Sequence, residues 1–117
     1  MTFGGAVSSC FRKYATFRGR ASRAEYWWFV LFELLVFGAA AILGGITGSS
    51  ELTTFLLPAS ILVFVLPSLA VTVRRLHDTG RSGWLYLIAL IPFGGIVLLV
   101  FTATAGEPGS NFYGPEP

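Results

Sequence analysis

Residues 26–46 read YWWFVLFELLVFGAAAILGGI, an apolar run interrupted by a single ionisable side chain, Glu33. At a rise of 1.5 Å per residue, about 20 such residues cross the ~30 Å hydrocarbon layer of a bilayer. Two further runs of the same kind follow, at 52–73 and 84–104. Backbone amides and carbonyls in lipid have no water to bond, so only helices and closed barrels can span it. These runs lack the alternation of a barrel strand and are about twice the ~9–11 residues such a strand needs. The expected fold is therefore an all-α membrane protein with three transmembrane helices.

Composition agrees with lipid as the solvent. Of 117 residues, 54% are hydrophobic and 12% charged, against roughly 25% charged for ordinary soluble domains. There is room for one domain. The net charge of +2 is too small to imply a nucleic-acid partner. The single Cys10 excludes an internal disulfide.

Upstream of the first run, Phe3, Val7, Cys10, Phe11 and Tyr14 recur at helical spacing, with Arg12 and Lys13 off the stripe. A short amphipathic helix within an interfacial segment, residues 1–21, is expected to lie on the leaflet. Ser22-Arg23-Ala24-Glu25 fits a capping box before the first span: Ser22 takes the Glu25 amide and the glutamate reaches back.

The distribution of bases sets the threading. Arg12, Lys13, Arg18, Arg20 and Arg23 precede span one, and Arg74, Arg75 and Arg81 lie between spans two and three. No Lys or Arg occurs from Ala24 to Val73 or after Arg81. With three crossings, the positive-inside rule puts all eight bases and the N-terminus in the cytoplasm, and an irregular tail, 105–117, outside. Tyr26, Trp27, Trp28 and Trp84 fall at the headgroup level, where amphipathic rings gather. A competing reading is a cleaved leader ending at Ala39-Ala40-Ala41; the long preamble and the two full spans that would remain count against it.

Breakers are expected to shape the spans. Pro58 and Pro67 free the carbonyls of Thr54 and Val63, and Pro92 with Gly94-Gly95 predicts a bend in span three. Gly44 and Gly48, with Ala40 and Ala41 below them, form a small-residue face. Gly80 can close the second span and Ser82 can cap the third. Asn111 can cap a turn with Tyr113-Gly114.

Three stretches carry a family resemblance. They are Phe17-Arg18-Gly19-Arg20-Ala21-Ser22-Arg23-Ala24-Glu25-Tyr26-Trp27-Trp28, Arg74-Arg75-Leu76-His77-Asp78-Thr79-Gly80-Arg81-Ser82-Gly83-Trp84, and Gly106-Glu107-Pro108-Gly109-Ser110-Asn111-Phe112-Tyr113-Gly114-Pro115. Together, in this order, they resemble the bacterial inner-membrane family catalogued as domain of unknown function 805. The resemblance implies a small multi-span protein of the inner (plasma) membrane and brings no activity with it. Position 33, where the family often carries a neutral polar residue such as Asn, holds Glu33.

Three constellations are candidates for function. Arg18, Arg20, Arg23, Arg74, Arg75 and Arg81 offer forked donors suited to phosphate; they make a cytoplasmic rim for an anionic lipid headgroup or a partner protein, or else serve only to fix topology. Glu33 lies about 10 Å along its helix from Tyr26, at a depth where an ionisable group is costly. It is expected to pair with Arg74 or Arg75, to sit protonated, or to carry a proton. His77-Asp78 forms a polar hairpin site that can supply a base. With one His and one Cys in the chain, no zinc site can be completed, and no metal or other cofactor is expected. No phosphate-cradling loop or serine elbow is present. The favoured reading is a non-catalytic membrane protein. Its alternatives are a small oligomeric transporter or channel, self-associating through Gly44 and Gly48, and an enzyme on a phosphorylated lipid.

Overall fold

The computed structural model describes residues 1–48 and 50–117, the side chains of Leu52 and Thr53 excepted. Helix α1 spans Phe3–Arg12, α2 Arg23–Thr47, α3 Leu57–Asp78 and α4 Gly94–Ala103. A π turn, Leu52–Leu56, leads into α3, and a 3₁₀ helix, Gly83–Leu90, precedes α4. Among the described residues the one extended pairing is an isolated bridge between Asn111 and Gly114. The all-helical membrane fold expected from the sequence is what the chain adopts.

Among the described residues, two helices are long and apolar enough to cross a bilayer, Arg23–Thr47 and Thr54–Asp78. The first begins as its capping residue dictates: Ser22 Oγ accepts from the Glu25 amide at 3.1 Å. It ends on Gly48 in the left-handed conformation, φ 65°. The second carries Pro58 where the π turn Leu52–Leu56 passes into α3, and Pro67 buried inside it. Its C-terminus is a Schellman motif, with the Arg81 amide on the Leu76 carbonyl (2.9 Å) and the Gly80 amide on the His77 carbonyl (3.0 Å). The helix runs past the apolar run to Asp78 and is closed at Gly80, as the sequence leads one to expect, so Arg74, Arg75, His77 and Asp78 lie in its last two turns.

Residues 84–104 are not one helix, as the run of apolar residues predicts, but two arms that double back. The bend expected at Pro92 is a reversal. Proline forces the residue before it out of the α region, and Ile91 is extended at φ −89°, ψ 142°. Phe93 is left-handed, φ 64°. Gly94 then lets the arms touch, because a Cβ there would overlap the Ile88 carbonyl oxygen. With ten residues, α4 is about 15 Å long, half of a hydrocarbon layer. Both ends of the block reach the last turns of α3. Gly83 lies against Val73 and His77, while the Thr102 carbonyl takes a 2.8 Å bond from Arg75 Nε.

The tail follows from that reversal. The expectation of a tail at the end remote from the bases does not hold: the Glu107 amide bonds the Asp78 carbonyl at 2.8 Å, and Arg20 reaches the Glu107 carbonyl.

Helix α1 forms on the predicted periodicity but is shorter than the 1–21 segment. Its apolar stripe packs on the bundle instead of only on lipid. Phe3 meets Trp28 and Phe32, and Phe11 meets Phe29, Phe32 and Phe64, with ring centroids 5.6–6.1 Å apart. Tyr14, assigned to that stripe, is exposed.

Candidate functional site

Helix ends leave orphan carbonyls, and membrane interiors tolerate none unpaired. Where α3 and α4 finish side by side, two of three buried arginines, Arg75 and Arg20, fill that need. Arg75 Nε donates to the Thr102 carbonyl (2.8 Å) and Nη1 to the Ala21 carbonyl (3.1 Å). Its Nη2 donates to the Thr104 carbonyl, and Nη1 also reaches Asp78 Oδ2. One guanidinium thus caps α4 and ties it to α3 and to the loop before α2.

Arg20 does the same for the tail. Its Nε pairs with Asp78 Oδ1 at 2.9 Å. Its Nη1 donates to the carbonyls of Gly109 and Gly114, and its Nη2 to those of Glu107 and Asp78. Asp78 therefore sits between two guanidiniums, one on each carboxylate oxygen. The approach is so close that a Cβ at Gly106 would overlap the Asp78 carboxylate, which is why the tail passes here with glycine.

The third, Arg74, points elsewhere. Its Nη1 pairs with Glu25 Oε1 at 2.8 Å, an oxygen that also accepts from Ser9 Oγ (2.9 Å) and Cys10 Sγ (3.9 Å). Glu25 thus completes no capping box; its carboxylate is drawn to the stronger, charged donor. This pair bolts α1 to α2 and α3. Arg74 Nε and Nη2 are buried without a hydrogen-bond partner. Burial pushes the Cys10 thiol up to about 12, the neighbouring Glu25 carboxylate adding to the effect.

His77 Nδ1 lies 3.0 Å from the Gly19 carbonyl oxygen, and its ring stacks on Tyr113 with centroids 4.1 Å apart and planes 2° from parallel. Asn111 Nδ2 donates to the His77 carbonyl (2.9 Å), and Asn111 Oδ1 accepts from the Tyr113 amide (2.9 Å), making the turn its sequence predicts.

The arginine rim therefore divides. Arg20, Arg74 and Arg75 are 6%, 1% and 0% exposed and hold the protein's own groups, so they are not a free surface for phosphate. Arg18 and Arg23 are exposed, Arg23 Nη1 touching only the Ala103 carbonyl at 3.5 Å. Arg81 is half-buried, its guanidinium 4.2 Å from the centroid of Phe101, a cation–π contact. Glu33 meets neither Arg74 nor Arg75, both engaged elsewhere; the Ser68 side chain is its neighbour, and its Oε1 is buried without a partner. Of the small-residue face, Ala40 and Gly44 are buried within this chain. Among the described residues no cluster of His, Cys, Asp or Glu is arranged to hold a metal.

The three quoted motifs meet at this clasp: Arg20 and Ala21 from the first, Arg75, His77 and Asp78 from the second, Glu107, Gly109, Asn111 and Tyr113 from the third. Sequence reasoning missed Thr102 and Thr104 as members, and Glu25 as the partner of Arg74. Only Glu25 carried a usable signal, since it and Asp78 are the two acids nearest the basic segments.

Comparison with known proteins gives a consistent picture. Residues 14–115 match the family described as "Protein of unknown function (DUF805)". The Escherichia coli K12 protein named inner membrane protein YhaH is 44% identical over 113 residues, covering 91% of this chain and 90% of that protein. Inner membrane protein YhaI of the same organism is 43% identical over 110 residues, covering 93% and 92%. The uncharacterized protein YiiR is 35% identical over 75 residues, 62% of this chain and 49% of that protein. No solved structure matches.

Proposed function

The chain belongs to the DUF805 family, and from that premise we propose a non-catalytic protein of the bacterial inner membrane whose basic face binds the cytoplasmic leaflet. In this reading α2 and α3 cross the bilayer, and residues 84–104 enter and leave it on the cytoplasmic side. Both termini are then cytoplasmic. Two relatives named as inner membrane proteins support the location.

The observation that carries the reading is the tethering of both ends of the third apolar block to the last turns of α3. With it, all eight bases, the tail and α1 share one face, which satisfies the positive-inside rule with two crossings. The buried arginines build that face, and the exposed Arg12, Lys13, Arg18 and Arg23 contact anionic headgroups, each worth about 1 kcal/mol near a charged surface.

Lipid extracted with the detergent-purified protein tests the contact. Enrichment of anionic over zwitterionic phospholipid is expected, and Arg18→Ala with Arg23→Ala should lower it several-fold. Equal lipid composition in the protein and its parent membrane, unchanged by the substitutions, would refute it.

A further inference from the structure

Beside the clasp a groove of about 670 Å³ opens between α3, the 3₁₀ helix and the tail. That volume falls within the ~300–1,000 Å³ of small-ligand sites. Its α3 wall is the stripe Leu69, Val73 and His77, spaced four residues apart. Arg75 projects about 200° round the helix from Val73, so the groove is not the space that guanidinium fills, although His77 and Tyr113 border both.

The groove has a polar end and an apolar end. His77, Ser82 and Tyr113 line it at the level of the clasp, and Leu69 and Leu87 line it deeper. Leu69 lies about 12 Å down the helix axis from His77. Leu87 lies about 8 Å beyond Gly83 along the 3₁₀ helix. A cleft of this grading, running from headgroup level into hydrocarbon, matches an amphiphile with one end charged and one apolar.

Charge chooses the headgroup. Arg18 follows the groove residue Phe17 in the chain, and Arg81 precedes Ser82, its half-buried guanidinium over Phe101. Of the nearby acids, Asp78 is held between Arg20 and Arg75, while Glu107, bonded by Asn111 at 3.3 Å, keeps a single negative charge against the two arginines. We propose that the groove holds an acyl chain of an anionic phospholipid whose headgroup lies toward Arg18 and Arg81. This inference rests on the assignment of that face to the cytoplasmic leaflet and names the lipid's seat. The aromatic wall of Trp84 and Tyr113 fixes the depth of the chain, and the His77–Tyr113 stack holds the tail as one side of the site.

Trp84 lines the groove and reports on its contents. The full chain carrying Trp27→Phe and Trp28→Phe is placed in vesicles of phosphatidylcholine with a tenth part, roughly, of phosphatidylglycerol, one species or the other bearing brominated acyl chains. Bromine on the minority anionic lipid should quench Trp84 several-fold more than the same mole fraction of brominated phosphatidylcholine. Val73→Phe, or Leu69→Phe should the first fail to fold, fills the groove and should remove that excess. Arg18→Ala with Arg81→Ala should remove the preference for the anionic headgroup and leave quenching by the chain.

Equal quenching by both lipids, unmoved by either filling variant, would overturn the site. So would groove filling that disrupts a cross-linkable pair of chains, which would make the occupant a second copy. The two readings separate cleanly. Anionic lipid that still copurifies while Val73→Phe changes nothing refutes the groove alone. Loss of anionic enrichment in the unsubstituted protein refutes the leaflet assignment with it.

Discussion

Asp78 is 4% exposed and carries a guanidinium on each oxygen. Breaking a buried ion pair from one side typically costs about 3–5 kcal/mol, because the partner charge is left uncompensated. Asp78→Ala strands two such charges and should lower the thermal midpoint of the detergent-solubilised protein sharply, whereas Arg18→Ala, at an exposed site, should stay within about 0.5 kcal/mol. Equal midpoints for the two variants would remove the clasp as a source of stability. Cys10 gives a pH dependence at the same scale. Its folded thiol, raised to about 12, holds its proton more tightly than the unfolded one, whose ordinary value is 9.0. The resulting stabilisation is complete below about pH 9 and is lost as pH rises from there towards 12. Any stability difference between wild type and Cys10→Ala should therefore be flat from pH 6 to 8.5 and shift against the wild type above pH 9. Thiol-directed alkylation at pH 8 should proceed only after unfolding.

At the scale of elements, the sequence announces the crossing helices and their ends because those signals are local. Ser22, Gly80 and Ser82 each act within a few residues. Pro67 inside α3 disturbs one turn and leaves the helix running. Pro92 does more, because Ile91, Phe93 and Gly94 act with it to turn the chain back. An apolar run records how much lipid a segment prefers and not its path through the bilayer, so one crossing and one reversal read alike at 84–104. Gly94→Ala tests the reversal. The new methyl would overlap backbone at Ile88, which cannot rotate away, and overpacking of this kind costs roughly 1–3 kcal/mol. Gly95→Ala meets nothing within 4 Å and should be tolerated. A Gly94→Ala protein as stable as Gly95→Ala would count against close contact of the two arms. Helix α1 shows the same division: its stripe was legible, while its seat on Phe29, Phe32 and Phe64 had no local trace.

Over the whole molecule, the clasp joins residues far apart in the chain, 58 positions from Arg20 to Asp78 and 87 from Arg20 to Glu107. Such partners have no periodicity to betray them. Reading the arginines as a cationic rim followed from their charge; finding Arg20 and Arg75 buried follows from the carbonyls that two helix ends and a tail bring to the same place, and finding Arg74 buried follows from the Glu25 carboxylate. Once residues 84–104 return to the basic end, α1, the loop before α2, the α3 terminus and the tail form one continuous face, with α2 and α3 left to cross. A reporter pair fused after Pro117 tests that arrangement directly, one partner fluorescing only in the cytoplasm and the other enzymatically active only in the periplasm. The account predicts a fluorescent and enzymatically silent fusion, with the same result for a fusion ahead of Met1. An active periplasmic enzyme after Pro117, with the N-terminus still cytoplasmic, would mean that the third apolar block crosses the bilayer and that the clasp does not exist in the membrane.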